Sequence, residues 1–388
     1  MLKAIKIRIY PTREQTGFIN RQLGCCRFVY NHCLEYRSKS YTDSSISVSS
    51  SDTVKHIVDL KSEYEFLKDV HSKVLQQSVR DLNQSYDNFF KHHRGYPRFK
   101  SKHDNKQSCR FPKDAFIGIR GNRIDLIKSL KFIHFKCSRK DEKYLNKNQD
   151  KVHSITLTKT CSGKIYLSIL IDKPQEIKKP LTSCIGIDLG IKSYVTTSEG
   201  EFFDNIHPYR NEERRLKRLN RMLSKKVKGS NNRNKIRIKL AKLSEKITNR
   251  RSNNIQQITS KLVNENQVII MEDLNSAGMM KNHKLAKHIQ DCAFGEFGRI
   301  LEQKCELYGR TLIKVNRFFA SSKTCHNCGY VNKDLNLSDR TYVCPHCGSV
   351  IDRDYNAALN ILDEGLGMIG LSSPEFKPVE NPTMDERV

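Results

Sequence analysis

The chain reads as an α+β protein of several modules, and three observations carry that reading. Alternating apolar residues open the sequence and return between about 105 and 175, with helical spacing in between. Two later runs, residues 184–197 and 267–275, are apolar and β-prone yet hold carboxylates: Asp188 in the first, Glu272 and Asp273 in the second. Finally, two CxxCG knuckles, Cys325-His-Asn-Cys328-Gly329 and Cys344-Pro-His-Cys347-Gly348, sit just ahead of Asp352-Arg353-Asp354-Tyr355-Asn356-Ala357-Ala358. At 388 residues the chain is long enough for two or three domains with their own cores.

Taken in order, Ile5, Ile7 and Ile9 share one face of a half-buried strand over 3–9, with Lys6 and Arg8 on the other. Pro11 ends it, and Thr12 with Gln15 has the spacing of a capping box for a following helix. A Ser-rich stretch at 42–53 reads as a linker. Helical spacing resumes over 64–91, with Phe66, Val70, Val74, Leu75, Val79, Leu82, Tyr86 and Phe89 as the apolar stripe. The polar face, including Lys73 and Gln77, suits either nucleic acid or plain solvent. Residues 92–102 then interleave aromatics with cations, so that Arg98 and Lys100 could meet phosphates while Tyr96 or Phe99 stacks on bases. Arg110 is grouped with these nucleic-acid candidates. Residues 154–158 and 164–172 read as two strands of a hairpin turning at Cys161-Ser162-Gly163.

Residues 205–262 are the most basic stretch. Leu216, Leu219 and Leu223, then Ile236, Leu240, Leu243 and Ile247, make a narrow seam and predict an antiparallel helix pair broken at 229–232. Its surplus of Arg and Lys points to backbone binding. The whole chain carries 69 Lys+Arg against 42 Asp+Glu, a net +27, which makes DNA or RNA the leading partner. A membrane is the lesser reading, because there is no 18-residue apolar run and no signal-peptide core. Of thirteen cysteines, nine are scattered and read as small buried residues of a reduced, intracellular chain.

The remaining four, Cys325, Cys328, Cys344 and Cys347, have C-x2-C-x15-C-x2-C spacing, which fits one tetrahedral, structural Zn²⁺ with no open position for water. An acid inside a strand is costly unless paired or metal-bound. Strand alternation puts Glu272 and Asp273 on opposite faces, so only one of them meets Asp188. Behind the knuckles, Ala357, Ala358 and Ile361 would pack a helix down while Asp354 points from its first turn into the site. Three acids from two strands and a helix can hold two Mg²⁺ ions for in-line attack on a phosphodiester. The blander reading is a free-standing zinc ribbon that only binds nucleic acid.

Gly-Ile-Asp188-Leu-Gly, Met-Glu272-Asp-Leu, the two knuckles and Asp-Arg-Asp354-x-Asn-Ala-Ala resemble the split RuvC nuclease of the TnpB family. That family comprises transposon-encoded, RNA-guided DNA endonucleases related to type V CRISPR effectors. The likeness covers nearly the whole chain, with Gly24-Cys-Cys-Arg-Phe-Val-Tyr-Asn31, Gly95-Tyr-Pro-Arg-Phe-Lys-Ser-Lys102 and Ser321-Ser-Lys-Thr-Cys325 as further points. Phe294 stands where the family often has Trp, a packing change.

The resemblance implies a β-barrel-like wedge (1–40 and 101–178) with an inserted helical recognition domain (41–100). An RNase H-like (RuvC) α/β nuclease domain (179–323 and 349–366) follows, with an inserted zinc ribbon (324–348) and a disordered tail (367–388). It further implies Asp188, Glu272 and Asp354 as catalytic Mg²⁺ ligands, and a guide RNA derived from the transposon end. Guide pairing with one strand of double-stranded DNA would supply specificity, while the protein reads a short flanking motif, by analogy through Lys73 and Gln77. The location implied is the cytoplasm of a prokaryotic cell, at the nucleoid. Some relatives have lost the acids and act as guided repressors; all three are present here, which favours an active nuclease.

Overall fold

Alternation over the first residues produces a nine-residue strand, Leu2–Tyr10 (β1), with Ile5, Ile7 and Ile9 buried. Pro11 follows, and Thr12 caps helix α1 (Arg13–Ser44): its hydroxyl accepts from the Gln15 amide while the Gln15 side chain accepts from the Thr12 amide. The structure, a computed structural model, describes residues 2–104, 106–283, 285–336 and 339–370. Its chain divides into two units, one holding residues up to Pro174 with Arg237–Lys242, the other Gln175–Ile236 and the chain from Leu243 onward.

In the first unit α1 is followed by α2 (Ser50–Glu63) and α3 (Ser72–His92), then β2 (Lys106–Pro112), β3 (Gly118–Arg120), β4 (Arg123–Asp125), β5 (Ile133–Lys136), α4 (Arg139–Lys147), β6 (Val152–Thr160) and β7 (Ile165–Asp172). All seven strands form one antiparallel sheet in the order β2-β6-β7-β1-β5-β4-β3. The first strand therefore lies inside the sheet, paired on both sides by strands more than a hundred residues away. Gly163 turns the β6–β7 hairpin with φ +87°, a region that favours glycine. Ile5, Ile7, Leu167 and Ile169 share one core with Val29 of α1 and Val74, Val79 and Leu82 of α3.

Two expectations need correction here. Both helices run into the Ser-rich stretch, because Ser49 caps α2 by accepting from the Asp52 amide, so the non-helical connection is only 45–49. Likewise α3 starts at Ser72, not near 64, and Phe66 sits in a separate 3₁₀ turn, half exposed.

The second unit contains β8 (Cys184–Asp188), β9 (Ser193–Thr197), β10 (Phe202–Asp204), α5 (Pro208–Ser224), α6 (Asn231–Glu265), β11 (Val268–Glu272), α7 (Ser276–Met279), α8 (Ala286–Cys292), α9 (Phe294–Tyr308), β12 (Thr311–Val315), β13 (Thr341–Val343), β14 (Val350–Asp352) and α10 (Arg353–Met368). Five strands make a mixed sheet in the order β10-β9-β8-β11-β12, with β8, β11 and β12 parallel and β9 and β10 antiparallel. Ile185, Ile187, Ile269 and Met271 share a core with Ile258 and Leu262 of α6 and Phe297 and Leu301 of α9. Val268, Ile270, Ile313 and Val315 instead meet Ile361, Leu362 and Leu366 of α10. One sheet thus has a helical layer on each face.

The basic pair is antiparallel: Lys246 Nζ lies 2.7 Å from Glu212 Oε1, while Arg233 Nη1 donates to the Lys226 carbonyl (3.0 Å) at the other end. Helix α6 begins at Asn231 and continues to Glu265, well beyond the seam read from the sequence, so the break lies at 225–230. Helix α10 reaches Met368, which makes the first residues of the expected tail helical; positions 371–388 lie outside the described residues. No helix among the described residues is long and apolar enough to cross a membrane.

Candidate active site and metal centre

Strand alternation decides where the acids emerge. In β8, Ile185 and Ile187 face α6 and α9, so Gly186 and Asp188 face α10. In β11, Ile269 and Met271 do the same, which leaves Glu272 on the α10 side with Val268 and Ile270. The two strands are parallel and in register up to Met271↔Ile187, so the next step sets Glu272 beside Asp188. Asp273 has left this face; it pairs with Arg317 (2.5 Å), and its amide donates to the Val315 carbonyl.

Asp354 enters from α10. Asp352 is the N-cap of that helix, its Oδ1 accepting from the amides of Asp354 (2.9 Å) and Tyr355 (3.0 Å). Asp354 itself lies in the first turn with its carboxylate largely buried. Arg353 donates to its Oδ1 through Nη2 (2.8 Å) and Nε (3.1 Å), and Arg340 stands 4.0 Å from Oδ2. The hydroxyl of buried Ser321 donates to Glu272 Oε1.

Electrostatics bind the three acids into one site. Burial, then the charges of Glu272 and Asp354, push the Asp188 carboxyl up to about 8, with Arg353 opposing. Burial raises Glu272 as well, against the hydrogen bond from Ser321. A carboxyl that resists ionisation beside two others is what a cation site shows when only protein charges are present. This donor set, all oxygen, fits Mg²⁺.

The four cysteines form a separate centre. Their sulfurs all lie within 4.8 Å of one another, with Cys325–Cys347 at 3.7 Å and Cys328–Cys344 at 3.6 Å. A tetrahedron with Zn–S of about 2.3 Å has edges of about 3.8 Å, so these residues fit zinc. Each knuckle closes in the same way: the glycine amide donates to the first cysteine's carbonyl (2.8 Å at Gly329, 3.0 Å at Gly348), and both glycines have positive φ near +72°. Among the described residues this is the one group of three or more metal-ligating side chains drawn so close; the carboxylates do not close to that distance as a set.

The nucleic-acid candidates fall in two places on the first unit. On α3 and β2, Lys73 pairs with Asp114 (2.9 Å), and Asp81 meets both Gln77 (3.3 Å) and Arg110 (3.4 Å). In the loop after α3, Arg98 and Phe99 are exposed, and the Tyr96 hydroxyl bonds Ser38 (2.9 Å) and Tyr86 (3.1 Å). Lys100 is turned inward: its ammonium lies 3.7 Å from the Tyr30 ring centroid, burial pushes its pKa down, and Asn31 grips its backbone on both sides. Lys100 is thus half-buried, with its ammonium held against Tyr30.

Sequence reasoning quoted Ser321, Arg353 and Asn356 within motifs but gave them no role, and it passed over Asn360. The signal for the two asparagines was there, since polar residues at i and i+4 interrupt the apolar stripe of α10.

Residues 294–361 match a family described as "Cas12f1-like, TNB domain", 168–283 a family described as "Probable transposase", and 1–44 a "Helix-turn-helix domain". A cryo-EM structure of a Cas12f1–sgRNA–target DNA complex superposes with a TM-score of 0.55 at 17% identity, over 93% of this chain and 98% of that one, and shares the fold. A Streptomyces pristinaespiralis protein named "Putative RNA-guided DNA endonuclease" is 37% identical over 94% of this chain and 89% of its own length. An Escherichia coli (strain K12) relative, "Putative RNA-guided DNA endonuclease InsQ", is 29% identical over 94% of this chain and 92% of its own. The described residues thus combine a mixed α/β fold, shared with the protein of that complex, with a four-cysteine centre. The chain belongs to the TnpB family.

Proposed function

We propose that this protein is an RNA-guided DNA endonuclease that hydrolyses target DNA on the acid site of its mixed sheet. The observation that carries the reading is the emergence of Asp188 and Glu272 from adjacent parallel strands onto the one face that α10, bearing Asp354, covers. An antiparallel trio of strands followed by two parallel ones, with helices on both faces, supports an RNase H-like (RuvC) fold for residues 179–323 and 349–366. The sulfur spacing supports a zinc ribbon at 324–348. Residues 1–40 and 101–178 would form the wedge and 41–100 the recognition helices.

When bound, a pair of Mg²⁺ ions would supply an activated water and stabilise the leaving oxygen of the phosphodiester. Asp188, Glu272 and Asp354 would hold them. Ser321 orients Glu272, and the Arg353 fork restrains Asp354. Zinc at the four cysteines is structural, because no coordination position is left for substrate. The basic α5–α6 pair and the first unit would carry a guide RNA from the transposon end, with Lys73, Gln77, Tyr96, Arg98, Phe99 and Arg110 as contacts. Base pairing would then select the DNA strand.

The test is to purify the protein with its co-bound RNA, sequence that RNA, and assay plasmids carrying the matching target. Guide-dependent cutting that requires Mg²⁺ and disappears in Asp188→Ala, Glu272→Ala and Asp354→Ala is expected. Guide-dependent binding without metal-dependent cutting would make the protein a guided repressor instead.

A further inference from the structure

We propose that Asn356 and Asn360 are positioning residues for DNA cleavage: they clamp the chain entering the first zinc knuckle onto the helix that carries Asp354, and through Ser321 tie that helix to Glu272. This inference rests on the endonuclease reading of the acid site.

Both asparagines lie on the inward face of α10 beside Ala357, Ala358 and Ile361, Asn356 being wholly buried. A buried amide is costly unless paired, and here the pairing is specific. Asn356 Oδ1 accepts from the His326 amide (3.0 Å), and its Nδ2 donates to the Thr324 carbonyl (2.7 Å). Asn360 Nδ2 donates to the carbonyls of Ser321 (2.7 Å) and Thr324 (2.6 Å). Nearby, His326 Nδ1 stands 3.0 Å from Asp363 Oδ2.

Residues 321–326 are thus held along their length. At one end Ser321 gives its carbonyl to Asn360 and its hydroxyl to Glu272; at the other, Cys325 belongs to the four-cysteine centre. Apolar packing alone leaves a helix able to adjust along a sheet, and each residue of slip moves it about 1.5 Å. Directional hydrogen bonds remove that freedom. The result is a single hydrogen-bonded path from the zinc centre through α10 to two of the three acids. Loosening it would misplace Asp354 relative to Glu272 without touching guide pairing, so the loss should fall on kcat.

The experiment uses the full chain with its RNA and zinc. Asn356→Asp keeps the side-chain shape and the acceptor, but sets an oxygen against the Thr324 carbonyl; Asn360→Ala removes the double donor. Each should lower kcat at least tenfold with KM for target within about twofold, and should pass zinc to a chromogenic chelator several-fold faster than the parent. Should Asn356→Asp fail to fold, Ser321→Ala against Ser321→Thr replaces it, the threonine restoring kcat by restoring the hydroxyl. Variants that melt lower yet retain parental kcat overturn positioning, and parental zinc release overturns the clamp. A parent that cuts no DNA overturns the endonuclease reading itself, while the zinc-release comparison still judges the clamp.

Discussion

Gly186 lies against Ala358: a Cβ on this β8 residue would run into the Ala358 carbonyl oxygen and stand 2.7 Å from the Leu362 amide nitrogen. On the same face, a Cβ at Gly365 of α10 would press on Ile270 of β11. Glycine from the sheet and glycine from the helix therefore let the two approach closely, and this approach brings Asp354 to the strand ends that carry Asp188 and Glu272.

Gly186→Ala should accordingly lose cleavage although all three acids are retained, because Asp354 is displaced with its helix. The obstructing atoms are backbone, so the helix must move; overpacking of this kind costs about 1–3 kcal/mol. Denaturant unfolding and the plasmid assay check the two effects together. Parental cutting by this variant would remove the close approach as the element that sets Asp354.

Asp352 and Asp354 should separate cleanly. Asp352→Ala removes a helix cap, expected to cost about 0.5–2 kcal/mol, and Asp352→Asn should recover most of it. Cleavage well below the melting temperature should survive in both, whereas Asp354→Ala should abolish it. Thermal unfolding with initial rates measures this; abolition by Asp352→Asn would make Asp352 the third metal ligand.

Asp188 predicts a pH dependence with a definite sign. Its carboxyl, pushed up to about 8, keeps a proton that the unfolded chain releases near 3.9. Its contribution to metal-free stability therefore falls as pH rises between about 4 and 8, then levels off. Mg²⁺ competes with that proton, so its apparent affinity should climb by up to about tenfold per pH unit below 8, and cleavage should climb with it. Melting curves in chelator and in Mg²⁺ should diverge as pH rises, and Asp188→Asn should flatten the divergence.

Zinc should be found at one ion per chain by elemental analysis and should be lost in Cys325→Ser and Cys347→Ser, with cleavage lost alongside. Against the lowering hydrogen bond from the Tyr330 backbone, burial and then the neighbouring thiols push Cys328 up to about 12, and burial raises Cys325. The backbone amide of Ser349 and the Asn327 side chain draw Cys347 down to about 6. Zinc uptake near pH 7 should thus release protons, mostly from the raised thiols, as titration in buffers of differing ionisation enthalpy would show. Zinc-free protein with full activity would contradict the structural role.

Local pattern and local chemistry made much of this protein legible in its sequence. Alternation gave β1 and the β6–β7 hairpin, Thr12 and Gln15 gave the start of α1, and cysteine spacing gave the four-sulfur centre, because each depends on residues near one another in the chain. The three acids could be nominated singly for the same reason: a carboxylate in an apolar strand stands out. Tertiary structure alone decided which of them meet. Parallel register between β8 and β11 set Glu272, not Asp273, beside Asp188, the close approach of Gly186 to Ala358 and Leu362 brought α10 with Asp354 to those strand ends, and Tyr30 drew Lys100 toward its ring. The roles of Ser321, Asn356 and Asn360 escaped notice because a buried polar side chain declares itself only through its partners, and those partners are 30 to 49 residues away along the chain.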